Sequence, residues 1–82
     1  MADHAVAVST VEEIKTEDLS DAINWCRHQL DEHEEGTGPH TNFERIRVVL
    51  EKIQNGHPIE GYNITIRIYA DKWRQHQLEA NL

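Results

Sequence analysis

Apolar residues recur every three or four positions along most of this chain, and glycines interrupt the pattern at two points. Leu19, Ala22, Ile23, Cys26 and Leu30 form one series. Phe43, Ile46, Leu50 and Ile53, widened by Val49, form a second. Such spacing places the side chains on one face of an α-helix and off any single face of a strand. Gly36 closes the first series and leads into the loop Thr37-Gly38-Pro39-His40, while Asn55-Gly56 closes the second, with Pro58 just beyond. Glycine and asparagine adopt the left-handed conformation that ends a helix, and proline cannot continue one. Thr16 is a candidate N-terminal cap, with Glu17 and Asp18 matched to the positive end of the helix dipole. Thr41 and Glu44 have capping-box spacing. The pattern therefore predicts helices over 16–35 and 42–55.

The last third supports two interpretations. Ile64, Ile66 and Ile68 alternate with Asn63, Thr65 and Arg67, the signature of a half-buried strand. Over a longer window, Ile59, Tyr62, Ile66, Tyr69 and Trp73 fall at 3-4-3-4 spacing and continue to His76 or Gln77, which marks a helix face. Only the short Ala5-Val6-Ala7-Val8 segment is available to pair with a strand, so a helix over 58–79 is favoured and a strand over 63–69 is the alternative. The expected fold class is all-α, a compact three-helix bundle, with an α+β arrangement as the alternative. Its expected core is Leu19, Ile23, Cys26, Leu30, Phe43, Ile46, Leu50, Ile53, Ile66 and Tyr69. With 82 residues the chain makes one small domain. Residues 1–9 read as a flexible arm and 10–82 as the domain. Thr10 and Glu13 also have capping-box spelling, but the apolar phase slips after Ile14, so only a short turn is expected there.

Charge is distributed unevenly. The 15 acids and 8 bases leave a net charge of −7. Residues 1–36 hold ten acids against Lys15 and Arg27, a net of −8, and residues 37–82 hold five acids and six bases, a net of +1. This balance argues against a nucleic-acid binder or a ligand of anionic membranes, because both require a basic footprint. Asp31, Glu32, Glu34 and Glu35 crowd the end of the first predicted helix, where the dipole is negative and like charges repel. Helix stability alone favours Lys or Arg there. The cluster is thus either a solvated helix end or an acidic lobe that meets a basic partner. Trp25, with Asp21 and Asp18 one and two turns upstream, is the candidate aromatic anchor of a contact patch, or else a tryptophan covering the edge of the core.

Catalytic chemistry has little to rest on. Cys26 lies on the core stripe without a flanking motif, and a buried thiol is a poor nucleophile. His4, His28, His33, His40, His57 and His76 lack ligand spacing, so no metal site and no cofactor are expected. The lone cysteine, the absence of a long apolar run and the absence of a signal-like start suggest a reducing, cytoplasmic setting. The expected function is that of a small acidic, non-enzymatic protein-binding module. It would act as an inhibitor or accessory protein that occludes a basic, nucleic-acid-binding surface of a partner protein, without contacting nucleic acid or membrane itself. Accessory proteins of this size and charge include virus-encoded ones. Asp18, Asp21, Trp25, Asp31, Glu32, Glu34 and Glu35 are the expected partner-binding residues. The alternative is a homo-oligomeric regulatory or structural subunit, such as a homodimer, that buries an apolar edge formed by Trp25, Tyr62, Tyr69 and Trp73. A histidine-based metal or pH sensor is a third reading.

Overall fold

A computed structural model describes residues 14–82, which form three helices: α1 (Thr16–Glu32), α2 (Gly38–Gln54) and α3 (Asn63–Ala80). The expected arm at 1–9 and the turn spelled by Thr10 lie outside the described residues. Among those described there is no strand, so the bundle expectation holds and the strand alternative over 63–69 does not. The alternating isoleucines lie on a helix: Ile66 is fully buried, while Ile64 and Ile68 face outward.

Each helix boundary has a local cause. α1 begins at Thr16, and its cap falls one residue before the expected one, at Lys15, whose backbone N–H donates to Asp18 Oδ2 at 3.4 Å. It ends at Glu32, earlier than residue 35, because His33 turns to extended backbone (φ −113°, ψ 142°). α2 starts at Gly38 and not at residue 42. The cap is Thr37, whose Oγ1 accepts from the His40 N–H at 3.4 Å and whose hydroxyl donates to the Glu34 carbonyl at 2.7 Å. Pro39 falls in the first turn, where no amide partner is needed. At the far end, Gly56 at φ +107° allows His57 N–H to reach the Lys52 carbonyl and Gly56 N–H to reach that of Ile53. This is the paired-bond Schellman stop that Asn55-Gly56 forecasts. α3 starts at Asn63, five residues later than expected. Gly61 at φ +86° closes a turn in which Tyr62 N–H donates to Ile59 O at 2.9 Å, and a helix cannot pass through a left-handed residue.

α1 is the shared element. It packs against both α2 and α3, most extensively against α3, whereas α2 and α3 make few contacts with each other. Leu19, Ala22, Ile23 and Cys26 of α1 meet Leu50 and Ile53 of α2 and Ile66 of α3 in one buried cluster, with Ala70 buried beside them. Phe43, Ile46, Val49, Tyr62 and Tyr69 pack against that cluster while remaining partly exposed. Of the expected core, Phe43, Ile46 and Tyr69 are thus only partly buried, and Leu30 is half-buried without packing against the cluster, because α1 has nearly run its length there. α1 and α2 are antiparallel: Ser20 lies beside Gln54, Arg27 beside Glu51, and His33 beside Phe43.

Leu50 is fully buried at the junction of the helices. Leu50→Ala is expected to cost about 2–5 kcal/mol, the usual range for a buried leucine that leaves a cavity. Leu30→Ala is expected to cost distinctly less. Urea denaturation of both variants ranks them, and an equal or larger loss for Leu30→Ala contradicts this packing.

Candidate interaction surfaces

The two ends of α1 use their carboxylates in opposite ways. Near its start, Asp18 and Asp21 both accept from Arg74 of α3: Arg74 Nε donates to Asp21 Oδ2 at 2.9 Å, and Nη2 donates to Asp18 Oδ1. The guanidinium is held between two carboxylates one helical turn apart. Hydrogen bonding to Arg74 keeps the Asp18 carboxyl below its ordinary range, although partial burial works in the other direction. In the middle of α1, Arg27 donates to Glu51 of α2 at 3.3 Å, and Arg47 donates to the same carboxylate oxygen at 2.9 Å. At the end of α1, Asp31, Glu32, Glu34 and Glu35 are all exposed. Among the described residues, none of these four takes part in an ion pair. Asp31 and Glu32 occupy the last helical turn, which contains no basic residue, while Glu34 and Glu35 lie in the turn that leads to α2. His33 is drawn inward among them; it bonds Gln29 at 3.3 Å and stacks on Phe43 with ring centroids 6.1 Å apart.

The seven residues expected from sequence thus divide into three groups. Asp31, Glu32, Glu34 and Glu35 stand together, outward and unpaired. Asp18 and Asp21 are occupied by Arg74. Trp25 is half-buried, and rings surround it in place of acids. It lies 5.6 Å from His28 and 6.3 Å from His76, and Lys72 Nζ sits 6.0 Å above its ring. His28 and His76 are themselves 4.1 Å apart, and Trp73 closes the group against both. Trp25 and Trp73 belong to this four-ring seam between α1 and α3, whereas Tyr62 and Tyr69 line a second surface, beside α2.

The second of those surfaces was not expected. Because α2 and α3 diverge, a groove of about 1060 Å³ opens between them. Phe43, Ile46, Val49, Tyr62 and Tyr69 line its floor, and Val48 stands in its wall, 40% exposed. Phe43 and Tyr69 touch across the floor at 5.8 Å. Helical periodicity marks these residues as apolar but carries no information on how far apart two helices splay, which is why the groove was not foreseen.

Burial pushes the Cys26 thiol up to about 12, far from the range in which thiolate forms. No group of three or more His, Cys, Asp or Glu side chains among the described residues is arranged to hold a metal ion. No helix among them is long and apolar enough to cross a membrane. No protein-family model matches the chain, and no curated protein or solved structure matches it.

The Arg74 clamp has a pH signature. Asp18 has a lowered carboxyl pKa in the folded chain, so its stabilisation is present above the unfolded value near 4 and is lost as pH falls through the folded value. Arg74→Gln should therefore flatten the acid limb of stability against pH below about pH 4. At neutral pH it should cost at most about 1 kcal/mol, because solvent screens the half-exposed pair. Thermal melts from pH 2 to 7 measure both effects, and an unchanged acid limb contradicts the clamp.

Proposed function

We propose that this protein acts by binding another protein, with Asp31, Glu32, Glu34 and Glu35 as the docking lobe for a basic surface. The observation that carries this reading is the difference between the carboxylates: those of Asp18, Asp21 and Glu51 are tied to arginines of the fold, while the four at the end of α1 are exposed and form no ion pair among the described residues. A concentrated negative patch steers a basic partner and speeds its association. Such a lobe competes with nucleic acid for the partner's basic surface, which makes the protein an inhibitor or accessory factor by occlusion. Direct nucleic-acid binding is disfavoured because the net charge is −7 and three of the eight bases, Arg27, Arg47 and Arg74, already satisfy carboxylates. The unreactive Cys26 thiol favours a non-enzymatic role. A cytoplasmic setting fits that unpaired, reduced cysteine.

The test replaces Asp31, Glu32, Glu34 and Glu35 with Gln together. Folding should hold, and relief of repulsion at the dipole's negative end should add about a few tenths of a kcal/mol for Asp31 and for Glu32. In capture from native-host lysate, the parent should retain a basic protein that the variant loses. A nucleic-acid oligomer should displace that protein, and association of the purified pair should slow between 50 and 300 mM salt. Equal affinity of parent and variant for the purified partner across that salt range rejects the acidic lobe.

A further inference from the structure

We propose that the groove between α2 and α3 receives an amphipathic helical segment of the partner, whose apolar face fills the groove while basic residues at one end meet the acidic lobe. This rests on the reading of the lobe as a docking site and specifies the chemistry of what docks there. The supporting observation is that the two features are continuous. His33, in the middle of the acidic run, stacks on Phe43 in the groove floor. The Thr37 hydroxyl bonds the Glu34 carbonyl and caps α2, and Pro39, two residues later, lines the groove. The four carboxylates therefore stand at the end of the groove marked by Pro39 and Phe43.

Dimensions and charge select the occupant. Along α2 the lining runs from Pro39 to Val49, a span of eleven residues or about 15 Å at helical rise. That is nearly three turns, enough for anchors at i, i+3 or i+4, and i+7. The floor offers aromatic and branched aliphatic side chains, so the anchors are large and apolar. Glu44 and Arg45 on the rim cancel each other. The sign at this site is therefore set by the lobe, with four negative charges to one end. A second copy of this chain, itself at −7, brings the wrong charge to that end. A basic amphipathic helix satisfies both the apolar groove and the anionic end.

The experiment uses the full chain and three synthetic 18-residue peptides. The first carries leucines at i, i+3, i+4 and i+7 with lysines clustered at one end. The second has the same lysines on a Ser/Gln background, and the third has the leucine face with glutamates. The Leu/Lys peptide should bind at least tenfold more tightly than either of the others and shift the ring NMR signals of Tyr62 and Tyr69. Val48→Gln, a change at an exposed wall position, should weaken that binding at least fivefold without lowering the melting temperature. The four-Gln variant should weaken it similarly and flatten its salt dependence.

If the Lys-only peptide binds as tightly and the tyrosine signals stay still, the groove proposal fails while the acidic lobe stands. If the Leu/Lys peptide binds the four-Gln variant undiminished, the lobe reading fails and with it the charge selection argued here. A mass of twice the 9.5 kDa chain in free solution, with Tyr62 and Tyr69 protected, overturns the proposal in favour of a second copy. Tyrosine signals that shift on removal of residues 1–13, in the absence of peptide, overturn it in favour of the chain's own N-terminal segment.

Discussion

Everything in this fold depends on the buried stripe of α1. Leu19, Ala22, Ile23 and Cys26 face two helices at once, and neither α2 nor α3 has another substantial surface against which to bury its own apolar face. An 82-residue chain has little interior, so a helix that serves two neighbours uses its few apolar residues twice. Ala22 and Ala70 are nearly inaccessible despite their small size. Larger residues there would displace a neighbour, because packed interiors tolerate added volume poorly. The same arrangement explains the groove: two helices joined through a third need not close on each other.

The charge pattern follows the same division. Where α1 is flanked by its neighbours, its charged groups serve as cross-links, Asp18 and Asp21 to Arg74 and Arg27 to Glu51. Each contact is half-exposed and individually modest. Their effect lies in orientation, since α3 is held at the start of α1 by a guanidinium fork that donates to two carboxylates and α2 is held at its middle. Asp31 and Glu32 end the helix, and Glu34 and Glu35 follow in the turn to α2. Among the described residues these carboxylates form no ion pair, and solvent or another molecule can relieve their mutual repulsion. A surface of this kind costs the monomer some stability at its negative helix end, a feature that binding to a basic partner would offset.

The rings of His33 and Phe43 join the anionic end to the apolar groove, so charge and hydrophobicity lie on one continuous surface. The Trp25–His28–Trp73–His76 seam has a different character. Its rings contact one another and Lys72, cover the α1–α3 junction, and leave Trp25 as part of the fold's edge. Proximity in sequence to Asp18 and Asp21 gave Trp25 the look of an anchor ringed by acids, but a turn of helix carries those carboxylates towards Arg74 and the indole towards histidines.

The number of helices, their apolar faces and the glycine stop after α2 were legible in the chain, because periodicity and the left-handed preference of Gly56 are local properties. So was the asymmetry of charge, which composition alone records. The starts of α2 and α3 were not. Thr37 and Thr41 are both competent caps, and only the loop that returns the chain along α1 makes Thr37 the one used. Pro58 suits a first turn as well as Asn63 does, until Gly61 takes a positive φ to bring Ile59 and Tyr62 onto the core. Sequence likewise could name Asp18, Asp21 and the four later acids as one anionic face. Which of them are neutralised was decided by the placement of Arg74, 53 residues from Asp21 along the chain. Local preference determines what each segment becomes. Contacts between segments distant in sequence determine which charges are used within the fold, which apolar surface stays open, and therefore where another molecule can bind.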